Sequence, residues 1–93
     1  MEFEWDDSKN KSNFKKHGIW FEEAKTIWAD GGCVEFLDPE HGKDEDRFIR
    51  IGHSTSSRLL LIVFCEHDSG NTIRIISARK TTTKERKQYE EGI

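Results

Sequence analysis

The most constraining feature of this chain is Leu59-Leu60-Leu61-Ile62-Val63-Phe64-Cys65, an unbroken apolar run between two turn-forming segments, Ser54-Thr55-Ser56-Ser57 and Asp68-Ser69-Gly70-Asn71. A membrane span needs about 20 apolar residues, so the run is too short for one. Its length and bracketing turns predict a central strand buried on both faces. The neighbours read the same way. Cys33-Val34-Glu35-Phe36-Leu37 is a strand ended by Asp38-Pro39, and Arg47-Phe48-Ile49-Arg50-Ile51 is another after an acidic loop from Glu40 to Asp46. Thr72 to Arg79 forms the last strand, hairpinned onto the central one.

Helical signals flank this group. Phe3-Glu4-Trp5 reads as a short first strand. Asp6 or Asp7 then caps a helix that runs to Lys15-Lys16-His17 and stops at Gly18, with acid at its start and base at its end as the helix dipole favours. Phe21, Ala24, Ile27 and Trp28 share one face of a second helix over 21–29, stopped by Asp30-Gly31-Gly32. Trp20 stands at its N-cap position and offers no capping side chain. Thr82-x-x-Glu85 is a capping box that opens a polar C-terminal helix containing Tyr89. The order is β-α-α-β-β-β-β-α. Short turns between the later strands imply an α+β fold, an antiparallel sheet of about four main strands with two N-terminal helices and a short C-terminal one.

With 93 residues the chain has room for one domain, 1–93, and a modest core. Its acidic N-terminus is unlike a basic secretory leader, so a cytoplasmic protein with reduced Cys33 and Cys65 is expected, with no role at a membrane. Net charge is −3, unevenly distributed. Residues 1–46 carry 6 Lys against 13 Asp and Glu, while residues 47–93 carry 9 Lys and Arg against 5 Asp and Glu. Such a division points to charged partners, a basic one for the first half and phosphates for the second.

No HExxH, CxxC, GxGxxG, P-loop or GxSxG motif is present, so no cofactor is expected. The four histidines are scattered. Cys65-x-His67 alone could begin a metal site, without a visible third ligand. The basic set is richer: Arg74, Arg79 and Lys80 at the last strand, with Arg47, Arg50 and Arg58 on neighbouring strands or turns. Guanidinium groups bind phosphate in bidentate fashion and stay charged at any relevant pH. They can therefore steady the charge that develops when a ribose 2′-hydroxyl attacks its phosphodiester, without a metal. His17, Tyr89 or a lysine are the available acid–base groups. Tyr89 is equally well explained by packing on the sheet. Strict alternation puts Arg74 and Arg79 on opposite faces of the last strand, and they serve one cleft only if the strand bulges near Ala78 or Arg79 lies past the sheet's edge.

The motifs taken in order resemble the BrnT toxin family. The opening is Phe3-Glu4-Trp5-Asp6, Asn10…Asn13-Phe14-x-Lys16-His17-Gly18 and Phe21-Glu22-Glu23-Ala24. Asp38-Pro39-Glu40-His41, Asp46-Arg47-Phe48-Ile49, Ile73-Arg74-Ile75-Ile76-Ser77-Ala78-Arg79-Lys80 and Tyr89-Glu90 continue it. The resemblance implies a RelE-like fold and a ribonuclease toxin whose partner is a BrnA-like antitoxin, a protein that binds operator DNA. It also implies, by position, Arg79 and Tyr89 as catalytic, with Arg74, Lys80 and Arg47 in support. The reading is then a metal-independent endoribonuclease acting on messenger RNA, with catalytic Arg79, Tyr89, Lys80 and His17 and RNA-binding Arg47, Arg50 and Arg74. Two rivals stand beside it: a non-catalytic co-repressor that acts only with its DNA-binding antitoxin, and a small metal enzyme built on Cys65, His67 and another histidine.

Overall fold

A computed structural model describes residues 1–39 and 47–92. The acidic loop, with His41, lies outside the described residues. The elements are β1 (Glu2–Glu4), α1 (Asp7–His17), α2 (Phe21–Ala24) continued by a 3₁₀ turn (Lys25–Ala29), β2 (Val34–Leu37), β3 (Arg47–His53), β4 (Leu59–His67), β5 (Thr72–Lys80) and α3 (Thr83–Glu91). The expected order holds, and the caps are the expected ones. Asp6 accepts from the backbone N–H groups of Ser8 and Lys9, Gly18 closes α1 at φ 71°, and Thr82 and Glu85 form the reciprocal capping box.

The sheet departs from expectation. It has five strands in the order β1-β5-β4-β3-β2 and is mixed, because β1 runs parallel to β5 while the other pairs are antiparallel. Parallel neighbours are joined by long connections rather than turns. Here Glu4 lies opposite Arg74, a pairing that no local signal announces. β4 is central and flanked on both sides, as its unbroken apolar run requires.

Each face of β4 meets a different layer. Leu60, Ile62 and Phe64 join Ile73, Ile75 and Ala78 of β5 beneath Ile19, Phe21, Ala24 and Ile27; the rings of Trp28 and Phe48 pack on Phe64, and Phe3 meets Trp28 edge-on. On the opposite face Leu59 and Leu61 pack with Ile51, Val34, Phe36, Ile49, Val63 and Tyr89 of α3. Two asparagines on α1 weld the helical layer to the sheet. Asn13 donates to Ala78 O at 2.8 Å and to Ile19 O at 2.9 Å, and accepts from Ala78 N at 3.1 Å. Its amide thereby takes the place of a neighbouring strand at that point of β5. Asn10 accepts from Phe21 N at 2.7 Å. This supplies from another helix the cap that Trp20 cannot give α2.

β5 carries one extra residue against β4. Phe64 faces Ile75 and Val63 faces Ser77, so Ile76 bulges out of the ladder. The bulge shifts the alternation by one. Arg74, opposite Cys65, and Arg79, opposite Leu61, therefore lie on the same face, the one covered by α3.

Candidate active site

Where α3 crosses the end of the sheet, three side chains from distant segments converge. The Tyr89 hydroxyl donates to Asp30 Oδ2 at 2.8 Å and lies 3.0 Å from His53 Nδ1. Asp30 also accepts from the backbone N–H of His53 at 2.8 Å and from that of Gly32 at 2.9 Å. A carboxylate only accepts, so the phenolic hydrogen goes to Asp30. The Nδ1 of His53 must then donate to the phenol oxygen. In the neutral imidazole this leaves Nε2 without a proton, the tautomer of a general base. His53 keeps 43% of its side chain exposed, in a hollow of about 250 Å³ lined also by Thr26, Ala29, Asp30, Ser54 and Thr55.

The local sequence makes room for this chain of groups. A Cβ on Gly52 would stand 3.3 Å from Asp30 Oδ2 and 3.1 Å from Cys33 Cβ. One on Gly32 would stand 3.2 Å from the Tyr89 hydroxyl. Both positions thus suit glycine because a functional side chain closes over them. The His53 and Gly32 backbone N–H groups and the Tyr89 hydroxyl hold the Asp30 carboxyl below the usual carboxylate range, against the pull of desolvation. The same contact with Asp30, joined by desolvation, pushes the Tyr89 phenol up. Tyr89 therefore keeps its proton and bridges Asp30 to His53.

Basic groups flank this centre. Arg79 grips Glu85 of α3 with two parallel 2.8 Å bonds and donates to Lys80 O at 3.2 Å, so among the described residues two of its five N–H donors remain. Glu85 and Tyr89 are four residues apart on α3 and share a face, so the pairs they make lie one helical turn apart. Lys80 faces the other way at the strand's end. It joins Arg58, Arg86, Ser57, Leu59 and Thr81 around a groove of about 230 Å³, beside the Leu59–His53 pair of β4 and β3. Arg58 is bound by Glu23 and donates to Gly18 O at 3.3 Å, and that pairing is the main reason the Glu23 carboxyl sits below its ordinary range.

Not every expected residue gathers here. Arg74 shares the face of Arg79 but lies four β4 positions away, about 13 Å along the strand, and is bound to Glu4 at 2.8 Å. Arg47, also on this face, lies level with Arg74 on the other side of Cys65. Arg50 pairs with Ile62 and so points to the helical layer, where it lies 4.9 Å from the centre of the Trp28 ring and bonds Glu35 at 2.6 Å. The structure does not bring Arg50 to the α3 face. His17, the last residue of α1, lines a small pocket with Lys16, Ser12 and Ser77, and it shares no partner with Tyr89 among the described residues. Cys65 is wholly buried and His67 exposed; among the described residues no three His, Cys, Asp or Glu side chains converge as metal ligands do. His53 and Asp30 went unrecognised in the sequence. Two signals pointed to them: His53 continues the alternation of Arg47, Ile49 and Ile51, and Gly52 is a glycine inside a strand, a mark of close approach.

The family model described as "Ribonuclease toxin, BrnT, of type II toxin-antitoxin system" matches residues 5–85. The chain belongs to that family. Among solved structures it is similar to the Brucella abortus ribonuclease toxin, BrnT, with a TM-score of 0.64 and 21% identity over 89% of this chain and 99% of that one. At such identity the likeness is one of fold. A comparison with curated proteins gives no significant match. Membership in this toxin family implies an RNA substrate and an antitoxin partner. Among the described residues no helix is long and apolar enough to cross a membrane.

Proposed function

We propose that this BrnT-family chain is a metal-independent endoribonuclease that cuts messenger RNA in the cytoplasm in a RelE-like manner. A BrnA-like antitoxin neutralises it and links it to operator DNA. The observation that carries this reading is the Asp30–Tyr89–His53 chain, which fixes the imidazole through Nδ1 and leaves Nε2 facing the hollow, at the end of the sheet where the groove with Lys80 and Arg86 lies. His53 Nε2 takes the proton of a ribose 2′-hydroxyl, and the oxygen attacks the adjacent phosphorus. Arg79, through its two remaining N–H donors, and Lys80 and Arg86 of the neighbouring groove hold the extra negative charge of the pentavalent phosphate. The 5′-oxygen leaves with a proton from the solvent-facing Lys80, giving a 2′,3′-cyclic phosphate and a 5′-hydroxyl. Tyr89 and Asp30 position the imidazole, and Arg47 holds the strand farther along the face, level with Arg74, whose charge Glu4 already engages. His53 takes the role for which the sequence offered His17.

The test is RNA cleavage by purified protein in excess EDTA. Cutting that persists under chelation and falls sharply in His53→Gln and Arg79→Ala supports the mechanism. Complete loss under EDTA sinks the metal-free route, and an Arg79→Ala variant as fast as wild type removes Arg79 from the site. The bidentate Arg79–Glu85 pair favours one other reading, in which that arginine only fixes α3 and the protein is a non-catalytic co-repressor. Expression without the antitoxin separates the two: growth arrest supports the nuclease, and harmless expression supports the co-repressor.

A further inference from the structure

Beside the His53 hollow lies a larger groove, about 540 Å³, lined by Trp20, Glu22, Glu23, Thr26, Thr55 and Ser56. The two share Thr26 and Thr55, so the groove adjoins the hollow that holds the candidate catalytic base. Trp20 has no structural duty that explains its size. It belongs to neither core cluster, it gives α2 no side-chain cap, and it is 42% exposed. It is nonetheless held firmly, stacked on Phe14 at 4.2 Å with an 11° angle between rings. An indole fixed on one face and lining a groove with the rest is a stacking platform for a flat, aromatic ligand.

The two carboxylates of the groove differ. Glu23 is neutralised by Arg58 and accepts from Ser54 at 2.7 Å. Glu22 has one described contact, a 2.9 Å bond from Asn10 Nδ2 to its Oε1, which steadies the carboxylate without neutralising it. An unneutralised carboxylate repels phosphate, so the groove does not suit the RNA backbone. It suits a base edge made of N–H donors. Adenine and cytosine present a donor next to an acceptor, and uracil sets its one N–H between two acceptors. Guanine alone presents two adjacent donors, N1–H and N2–H, to the two oxygens of a carboxylate.

Resting on the ribonuclease reading above, we propose that this groove is a guanine subsite: the base next to the scissile phosphate stacks on Trp20 and is read by Glu22. The test pairs binding with cleavage. Calorimetric titration with GMP, AMP, CMP and UMP in EDTA is expected to show GMP tightest in the wild-type protein. Trp20→Ala is expected to weaken GMP about tenfold or more, the usual scale of a lost base stack. Glu22→Gln is expected to erase the preference for GMP over AMP while leaving stacking intact. Both residues are exposed, and thermal melting confirms that the variants fold. Cleavage sites on a mixed-sequence RNA should cluster at guanine in the wild type and spread to other bases in Glu22→Gln. Equal affinity for the four nucleotides, or a cleavage pattern indifferent to Glu22→Gln, overturns the subsite and leaves the groove to a protein partner. GMP binding through Trp20 and Glu22 by a protein that cuts no RNA overturns the nuclease reading and leaves the subsite standing.

Discussion

A single hydroxyl joins Asp30 to His53 at the candidate site. Tyr89→Phe keeps the ring that packs on Ile51, Leu59 and Leu61 but removes the oxygen joining Asp30 to His53. Without it the imidazole is free to turn its protonated nitrogen outward. The expected outcome is a folded protein about 1 kcal/mol less stable, with RNA cleavage slowed about 10- to 100-fold, within the usual scale of acid–base catalysis. Urea unfolding and single-turnover cleavage measure the two effects; an unchanged rate would remove the tyrosine from the mechanism. Asn13 shows the same economy in a purely structural setting. It is only 6% exposed, and its amide serves Ile19 O and both backbone groups of Ala78. Asn13→Ala strands those groups where water does not reach, so a loss of about 2–3 kcal/mol is expected in urea denaturation. A loss under half a kcal/mol, the usual scale of a surface change, would mean that water replaces the amide there.

Among the elements, α3 is held at its N-terminal end by ion pairing rather than by apolar burial, which makes its attachment sensitive to acid. Glu85 closes the capping box and takes both bonds from Arg79, and the arginine is the main reason its carboxyl sits below the ordinary 4.5. A carboxyl with a lowered folded-state pKa stabilises the native protein fully above its unfolded value, and that contribution is lost as the pH falls below it. Urea midpoints should therefore hold steady from pH 7 to about 5 and drop below 4.5, with Asp30 and Glu23 shifting in the same direction. Glu85→Gln should be less stable at pH 7 and show a shallower acid slope; an unaltered slope would place the acid sensitivity elsewhere. The elements themselves were largely legible in the sequence, because caps, turns and periodicity are local properties. Asp6, Gly18, Thr82 and the apolar run of β4 each mark their own boundary. The pairing of β1 with β5 and the bulge at Ile76 were not legible, since both depend on contacts between distant segments. The same reason hid most of the site. Tyr89 and Arg79 stood out by residue type, whereas Asp30 resembled a helix stop and His53 a stray histidine until the fold joined them.

For the whole molecule, the contrast between an acidic first half and a basic second half is partly spent within the fold. Arg50–Glu35, Arg58–Glu23 and Arg74–Glu4 each tie an arginine of the second half to a carboxylate of the first. Of the second half's cations, those left for a polyanion gather where β5 passes into α3, at Lys80, Lys84, Arg86 and Lys87, with Arg79 beneath and Arg47 farther along the sheet. RNA binding should accordingly draw on few phosphates despite the many cations. Neutralising about three or four phosphates of a single strand gives a slope of log affinity against log salt of roughly −2 to −3. A 2′-deoxy oligonucleotide, which cannot undergo the cleavage reaction, allows that slope to be measured at equilibrium from 50 to 500 mM salt. Arg86→Ala should flatten it by about 0.7, the share of one phosphate contact. Arg50→Ala should leave it unchanged, since that side chain lies over Trp28 in the helical layer, on the sheet face away from α3. If Arg50→Ala flattened the slope as much as Arg86→Ala did, the strand would have to cross the helical side of the sheet. The α3 face, the His53 centre and the adjoining groove would then lose their common claim on one RNA strand.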